Sequence, residues 1–274
     1  MAGLLGMLLP GHGISLSTHI LLAGLLLIRL ATAVFFAPFL GGKIVPVRIK
    51  MSVALGLTVV VYPQVSASLH GTLEMPGLVY PALLVKEGGI GLMMGFIIGL
   101  VFHAAEAAGG YLDTMRGLGS AVLMAPQTGG QVSLLGNLYL QLAIVLLFAW
   151  GGHLPILQGL LGSFELLPPL QFVTWSDSSL NTAAWFAAFS ARLFSTMLLI
   201  VAPPLITVML TEVILALMNR MTPQINVFML GLPLKTMIAL VVLLLGLDVM
   251  ADKLRHEVLV NAVMLDRFLD LAGG

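Results

Sequence analysis

Ionisable side chains stand inside stretches of this sequence that are otherwise oily: Arg29, Lys86, Glu87, Glu106, Arg192, Glu212, Lys235 and Asp248. At the centre of a membrane helix each such group costs roughly 2.5–3.5 kcal/mol on insertion scales, so each needs a partner or a task. Two kinds of chemistry are open: ion pairing between helices, or a relay that passes protons or ions. No cluster of carboxylates shares one helical face, which favours pairing. His103 and Glu106 are one turn apart and could contribute to a metal site, but no second pair of ligands accompanies them. The chain has no phosphate-binding glycine loop followed by Lys-Ser or Lys-Thr, no His-Glu-x-x-His and no Gly-x-Ser-x-Gly. Cysteine is absent, which excludes disulfides and thiol nucleophiles. No catalytic, metal-binding or cofactor-binding residue is expected.

Composition says what surrounds these charges. Of 274 residues, 59% are hydrophobic and 9% charged. A soluble domain carries about 25% charged residues to wet its surface; this chain cannot, so lipid or apolar protein must surround much of it. The formal net charge is zero, which suggests no nucleic-acid partner. The start, "MAGLLGMLLPGHG", has no basic residue before Arg29 and so lacks the charged n-region of a cleaved signal; we read it as retained.

About six apolar segments of roughly 18 or more residues emerge, near 17–40, 51–69, 79–108, 134–151, 185–218 and 225–248. The expected fold is an all-α integral membrane protein with helical hairpins, its apolar helices forming a single domain over 1–274. The third and fifth segments exceed what a bilayer needs, and Pro203-Pro204 predicts a kink in the fifth. Residues 251–272 differ: Leu254, Val258, Leu265, Phe268 and Leu269 recur at helical spacing among charges, the pattern of an amphipathic helix on a membrane or a partner. Lys43, Arg48 and Lys50, then Arg116, then Arg220 mark alternate connections, whereas 63–78 and 152–184 hold no lysine or arginine. The basic connections are expected on the cytoplasmic side. Gly91, Gly95 and Gly99 form a small-residue stripe for close helix approach, within the chain or against a subunit.

Two connections carry the candidate sites. In "NRMTPQINVFMLGLPLK" (219–235), Asn219 and Arg220 fall in a helix's last turn, Thr222 can cap the next helix, and Pro223 suits its first position ahead of Gln224. That predicts a tight antiparallel hairpin with Glu212 and Lys235 at similar depth, as a buried ion pair. In 117–133, "GLGSAVLMAPQTGGQVS", Gly117, Gly119, Gly129, Gly130 and Pro126 argue against a continuous helix. Ser120 and the apolar Val122, Leu123 and Met124 sit in a run free of charge, which could close a conduit by apolar contact and bend aside without desolvating a charge.

Five stretches together resemble one family: "APFLGGKIVPVRIKMSVALGL" (37–57), "KEGGIGLMMGF" (86–96), "AGGYLDTMRGLGSA" (108–121), "WGGHLPILQGLLGSF" (150–164) and the 219–235 turn. It is the export-gate subunit family called FliR in flagella and SctT in virulence injectisomes, and the resemblance covers nearly the whole chain. It implies a subunit of a type III protein secretion gate in the bacterial inner membrane. That subunit joins copies of two small membrane subunits in a helical channel for unfolded proteins, with a substrate-specificity switch protein at the cytoplasmic side. The resemblance puts a plug-like loop at 117–133 and marks Arg48, Glu87, Asp113, Arg116 and His153 as motif polar residues. Asp113, Arg116 and Glu212 look more like the injectisome branch. The rival reading is an ion-coupled secondary transporter of small solutes, but the paired halves with matching broken helices that such a protein needs are not found.

Overall fold

The computed structural model describes residues 16–42, 45–67, 78–117, 133–172, 179–222, 224 and 227–273. Regular structure among them is helical: α1 (Leu16–Phe36), α2 (Pro38–Gly41), α3 (Val47–Ala67), α4 (Val79–Met115), α5 (Leu134–Ala149), α6 (His153–Leu166), α7 (Ser179–Met221), α8 (Val227–Leu245) and α9 (Leu247–Gly273). Four helices are long and apolar enough to cross a membrane, or up to six if each of two bent pairs, α5 with α6 and α8 with α9, counts as one span.

Local chemistry sets the breaks. Pro38 cannot donate into α1, so that helix stops at Phe36, and the same proline opens α2 at its first turn. Ser133 opens α5, its Oγ accepting from the Gly136 amide at 2.8 Å. The double proline does not end α7, which runs 43 residues with Pro203 and Pro204 inside it. The helix thus carries both prolines, at which a kink is expected, without being interrupted. Two missing donors free only the carbonyls of Leu199 and Ile200 from their helical bonds, a local loss that membrane helices tolerate. Two further boundaries move. The third apolar segment continues as helix to Met115, and α6 occupies a stretch assigned to a connection, because its 14 residues fall below a membrane-length window.

The chain divides into two compact units. The first holds 1–99, 152–185 and 260–274. Its core joins Leu22, Leu26 and Leu30 of α1, Val61 and Val65 of α3, and Phe164 of α6. The later part of α9 packs here: Leu265 Cδ2 lies 2.8 Å from where a Cβ on Gly159 would stand, and Asn261 donates to the Ile97 carbonyl at 2.9 Å. The second unit holds 100–151 and 186–259. There Gly109 lets α4 meet the backbone of α5 at Leu135. In the same unit α8 gives way to α9 at Gly246 through a 65° bend.

The amphipathic segment therefore finds its cover at home. Leu254, Val258, Leu265, Phe268 and Leu269 are all buried by this chain, which corrects the expectation that the stripe lies on a membrane or a partner. A chain this apolar has faces of its own to offer, and intramolecular docking costs no association entropy.

Candidate functional site

Both ends of the 117–133 connection meet at one carboxylate. Asp113, on the last turn of α4, pairs with Arg116 through Oδ1. Its Oδ2 accepts from Ser133 Oγ at 2.7 Å and from the Leu135 amide at 3.0 Å. Asp113 is 6% exposed and Arg116 2%. A buried acid with three donors is the arrangement that low dielectric demands. Gly117 leaves the helix at φ +88°, a left-handed conformation that glycine adopts freely. Departure and return are thus tied together across the fold. Ser120, Val122, Leu123, Met124, Pro126, Gly129 and Gly130 lie outside the described residues. Because Arg116 is buried and paired, it does not report on which side of the membrane its connection faces; Arg48 and Arg220 are exposed.

The hairpin is antiparallel. Leu215 of α7 meets Gly231 of α8, a Cβ there standing 3.2 Å from Leu215 Cδ1, and Lys235 Nζ lies 2.8 Å from Glu212 Oε2. Those two pairs step apart by similar amounts along the two arms, as antiparallel helices require. The expectation of a wholly buried pair is corrected: the Lys235 side chain is 11% exposed but that of Glu212 is 60%. Glu212 follows a turn in which Met209 and Leu210 are also exposed, so the carboxylate stands on the outward face of α7 while the lysine reaches to it. Thr222 is also corrected. Its Oγ1 donates back to the Met218 carbonyl at 2.9 Å, closing α7, and α8 begins only at Val227. A hydroxyl one turn past a free carbonyl satisfies that acceptor before it can cap a more distant helix. Asn219 and Arg220 occupy the last turn of α7 and Gln224 the turn between helices; Pro223 lies outside the described residues.

The glycine stripe is used inside the chain. A Cβ at Gly91 would collide with the Arg29 carbonyl and Thr32 Oγ1, and one at Gly95 would stand 2.7 Å from the Ala33 carbonyl. So α4 seats α1 at Gly91 and Gly95; Gly99 is buried as well. Met94, off the stripe on the same helix, is also fully buried, so this helix is covered on more than one side.

Glu87 is buried at 0% exposure and pairs with Arg29, whose Nη2 donates to Glu87 Oε1 at 3.0 Å. Arg29 also donates to the Ser163 carbonyl at 3.1 Å and the Leu167 carbonyl at 2.8 Å, and lies over the Phe164 ring at 4.3 Å. Lys86 pairs with Glu87 at 2.6 Å and donates to the carbonyls of Pro169 and Gln171 at 3.0 and 2.8 Å. Arg29 thus holds the carbonyl end of α6, where positive charge is favoured, and Lys86 the turn just beyond it. Arg192 with Glu257 at 3.5 Å, and His103 with Glu106 at 3.8 Å, make further pairs. Asp248 sits in the first turn of α9, where a negative charge is favoured. Pairing, not a carboxylate relay, is the geometry of these groups. His153 opens α6, and Arg48 is exposed in the first turn of α3. Sequence reasoning missed Ser133 as a partner of Asp113 and Arg29 with Lys86 as the partners of Glu87. The serine just before an apolar helix was the available signal for the first.

Helices of membrane length, charges matched internally and cores built from close helix contacts define a multi-pass all-α membrane protein. The model of the family "Bacterial export proteins, family 1" matches residues 20–259. The chain belongs to that family. It is 28% identical over 254 residues to the flagellar biosynthetic protein FliR of Bacillus subtilis, covering 91% of this chain and 95% of that one. It is 32% identical over 229 residues to the Yop proteins translocation protein T of Yersinia pestis, covering 81% and 84%. It is 27% identical over 220 residues to the surface presentation of antigens protein SpaR of Salmonella typhimurium, covering 79% of each. The protein is a structural membrane component of bacterial export machinery, not an enzyme, and it resides in the inner membrane.

Proposed function

We propose that this chain is a channel-forming subunit of a type III secretion export gate, and that 117–133 is the gate's apolar plug. One observation supports the plug most directly: Asp113 ties the helix leaving for that connection to the residues returning from it. A plug must be anchored firmly while its middle stays free to yield, and a buried polar staple at the base supplies that anchor. Unfolded proteins are the cargo in this reading, and two small membrane subunits and the specificity-switch protein are the partners. We favour the injectisome branch over the flagellar one on the resemblance that Asp113, Arg116 and Glu212 carry.

The test is conductance. Deleting residues 120–130 leaves assembly with its partners largely intact and makes membranes containing the reconstituted gate leak ions. A deletion variant as tight as the parent would return 117–133 to the role of a connecting loop.

A further inference from the structure

The second unit contains a cavity that the export reading does not use. It has a volume of about 310 Å³ and lies between α5, α7 and the bent α8–α9 pair, within the range of ligand sites. Its origin is in the sequence. Pro203 and Pro204 stand on one wall and Gly246, the residue at the 65° bend, on the other. The slot thus lies where Pro203 and Pro204 of α7 and the side-chain-free Gly246 at the bend both reach its lining.

Two polar groups border this oily slot. Tyr139 is 1% exposed, yet its hydroxyl makes no hydrogen bond among the described residues. A buried tyrosine hydroxyl ordinarily has a partner. Lys253 is half-buried and forms no ion pair among the described residues, although Glu257 one turn on is taken by Arg192. Lys253 lies one turn beyond Val249, which lines the slot and is 70% exposed, so the ammonium and the cavity share an edge open to the surroundings. The remaining lining is apolar. An occupant must therefore be apolar along most of its length, carry an anion at one end, and offer a polar atom to Tyr139. In an inner-membrane protein the surrounding lipid supplies such a molecule.

We propose that the slot holds one acyl chain of an acidic phospholipid, with Lys253 taking the headgroup phosphate and Tyr139 as the second polar contact. The lipid fills the void beside the bend in place of a side chain.

The assembled export complex, reconstituted in vesicles, tests this. The vesicles carry a trace of phosphatidylglycerol bearing a diazirine on its acyl chain, or the matching phosphatidylcholine probe. After illumination, crosslinked peptides are mapped. The phosphatidylglycerol probe is expected on 199–204 and 242–250, with the phosphatidylcholine probe about tenfold weaker there, because its phosphate is accompanied by a choline cation that repels the Lys253 ammonium. Lys253→Gln removes that preference, and Tyr139→Phe weakens it less. Ile200→Trp, which fills the slot, abolishes labelling of these peptides while exposed Leu55 on α3 is still labelled. Equal labelling by the two probes, a preference that survives Lys253→Gln, or an unlabelled slot covered by a partner subunit would each overturn the proposal. Should Ile200→Trp not assemble, the Lys253→Gln comparison alone decides.

Discussion

Asp113 accepts from Arg116, Ser133 and the Leu135 amide at once, and burial leaves these donors no ready substitute in water. Asp113→Asn keeps the shape but strands the Arg116 guanidinium, and breaking a buried pair costs roughly 3–5 kcal/mol. We expect a marked drop in thermal stability of the assembled export complex, and partial recovery when Arg116→Met is added. A double variant no better than the single one would show the two residues to act independently. The hairpin pair is gentler. Glu212→Gln leaves the buried Lys235 ammonium without its acid, at about 1–3 kcal/mol, and should reduce assembly yield more than Glu212→Gln with Lys235→Met does. These residues were legible because a charge in an oily run demands explanation. What sequence could not supply was exposure: nothing in the spacing of Glu212 says that its own helix turns it outward.

Among elements, α1 against α4 shows how little room helix packing leaves. With the Ala33 carbonyl 2.7 Å from the Cβ position of Gly95, any larger side chain must push α1 away. Overpacking costs roughly 1–3 kcal/mol or more, so Gly95→Leu should lower the yield of assembled export complex. Leu92→Ala, at a site already 42% exposed, should not. Equal yields for both variants would reduce the stripe to composition. The long apolar helices and the antiparallel hairpin could be read from hydropathy and turn chemistry. The start of α7 at Ser179 could not, since its first residues lie outside the apolar run. Nor could α6, too short for the window that finds membrane spans, or the inward face of α9, whose apolar stripe looks the same whether its cover is lipid, partner or the chain itself.

For the whole molecule, the outward apolar residues on α7 and α8 set the terms of its existence outside an assembly. Leu198, Ile206, Leu210, Val213, Leu217 and Leu244 are all exposed. A face of this kind requires lipid, detergent or partners. Ligation by partners stabilises only the folded chain. The chain purified alone in detergent should therefore aggregate or melt early by size exclusion and thermal scanning, and co-expression with other components of the export apparatus should make it monodisperse. A stable lone monomer would count against dependence on partners.

The staple at Asp113 has a consequence for descent. When both ends of an insertion are fastened to one acid, the stretch between them can change length and composition without disturbing the helices that carry it, since each doubling of a flexible loop costs only about 0.6 kcal/mol. Variation between Gly117 and Ser133 is thereby uncoupled from the helices that carry its two ends, and a lineage can alter that stretch as one might change a fitting while leaving the pipe in place.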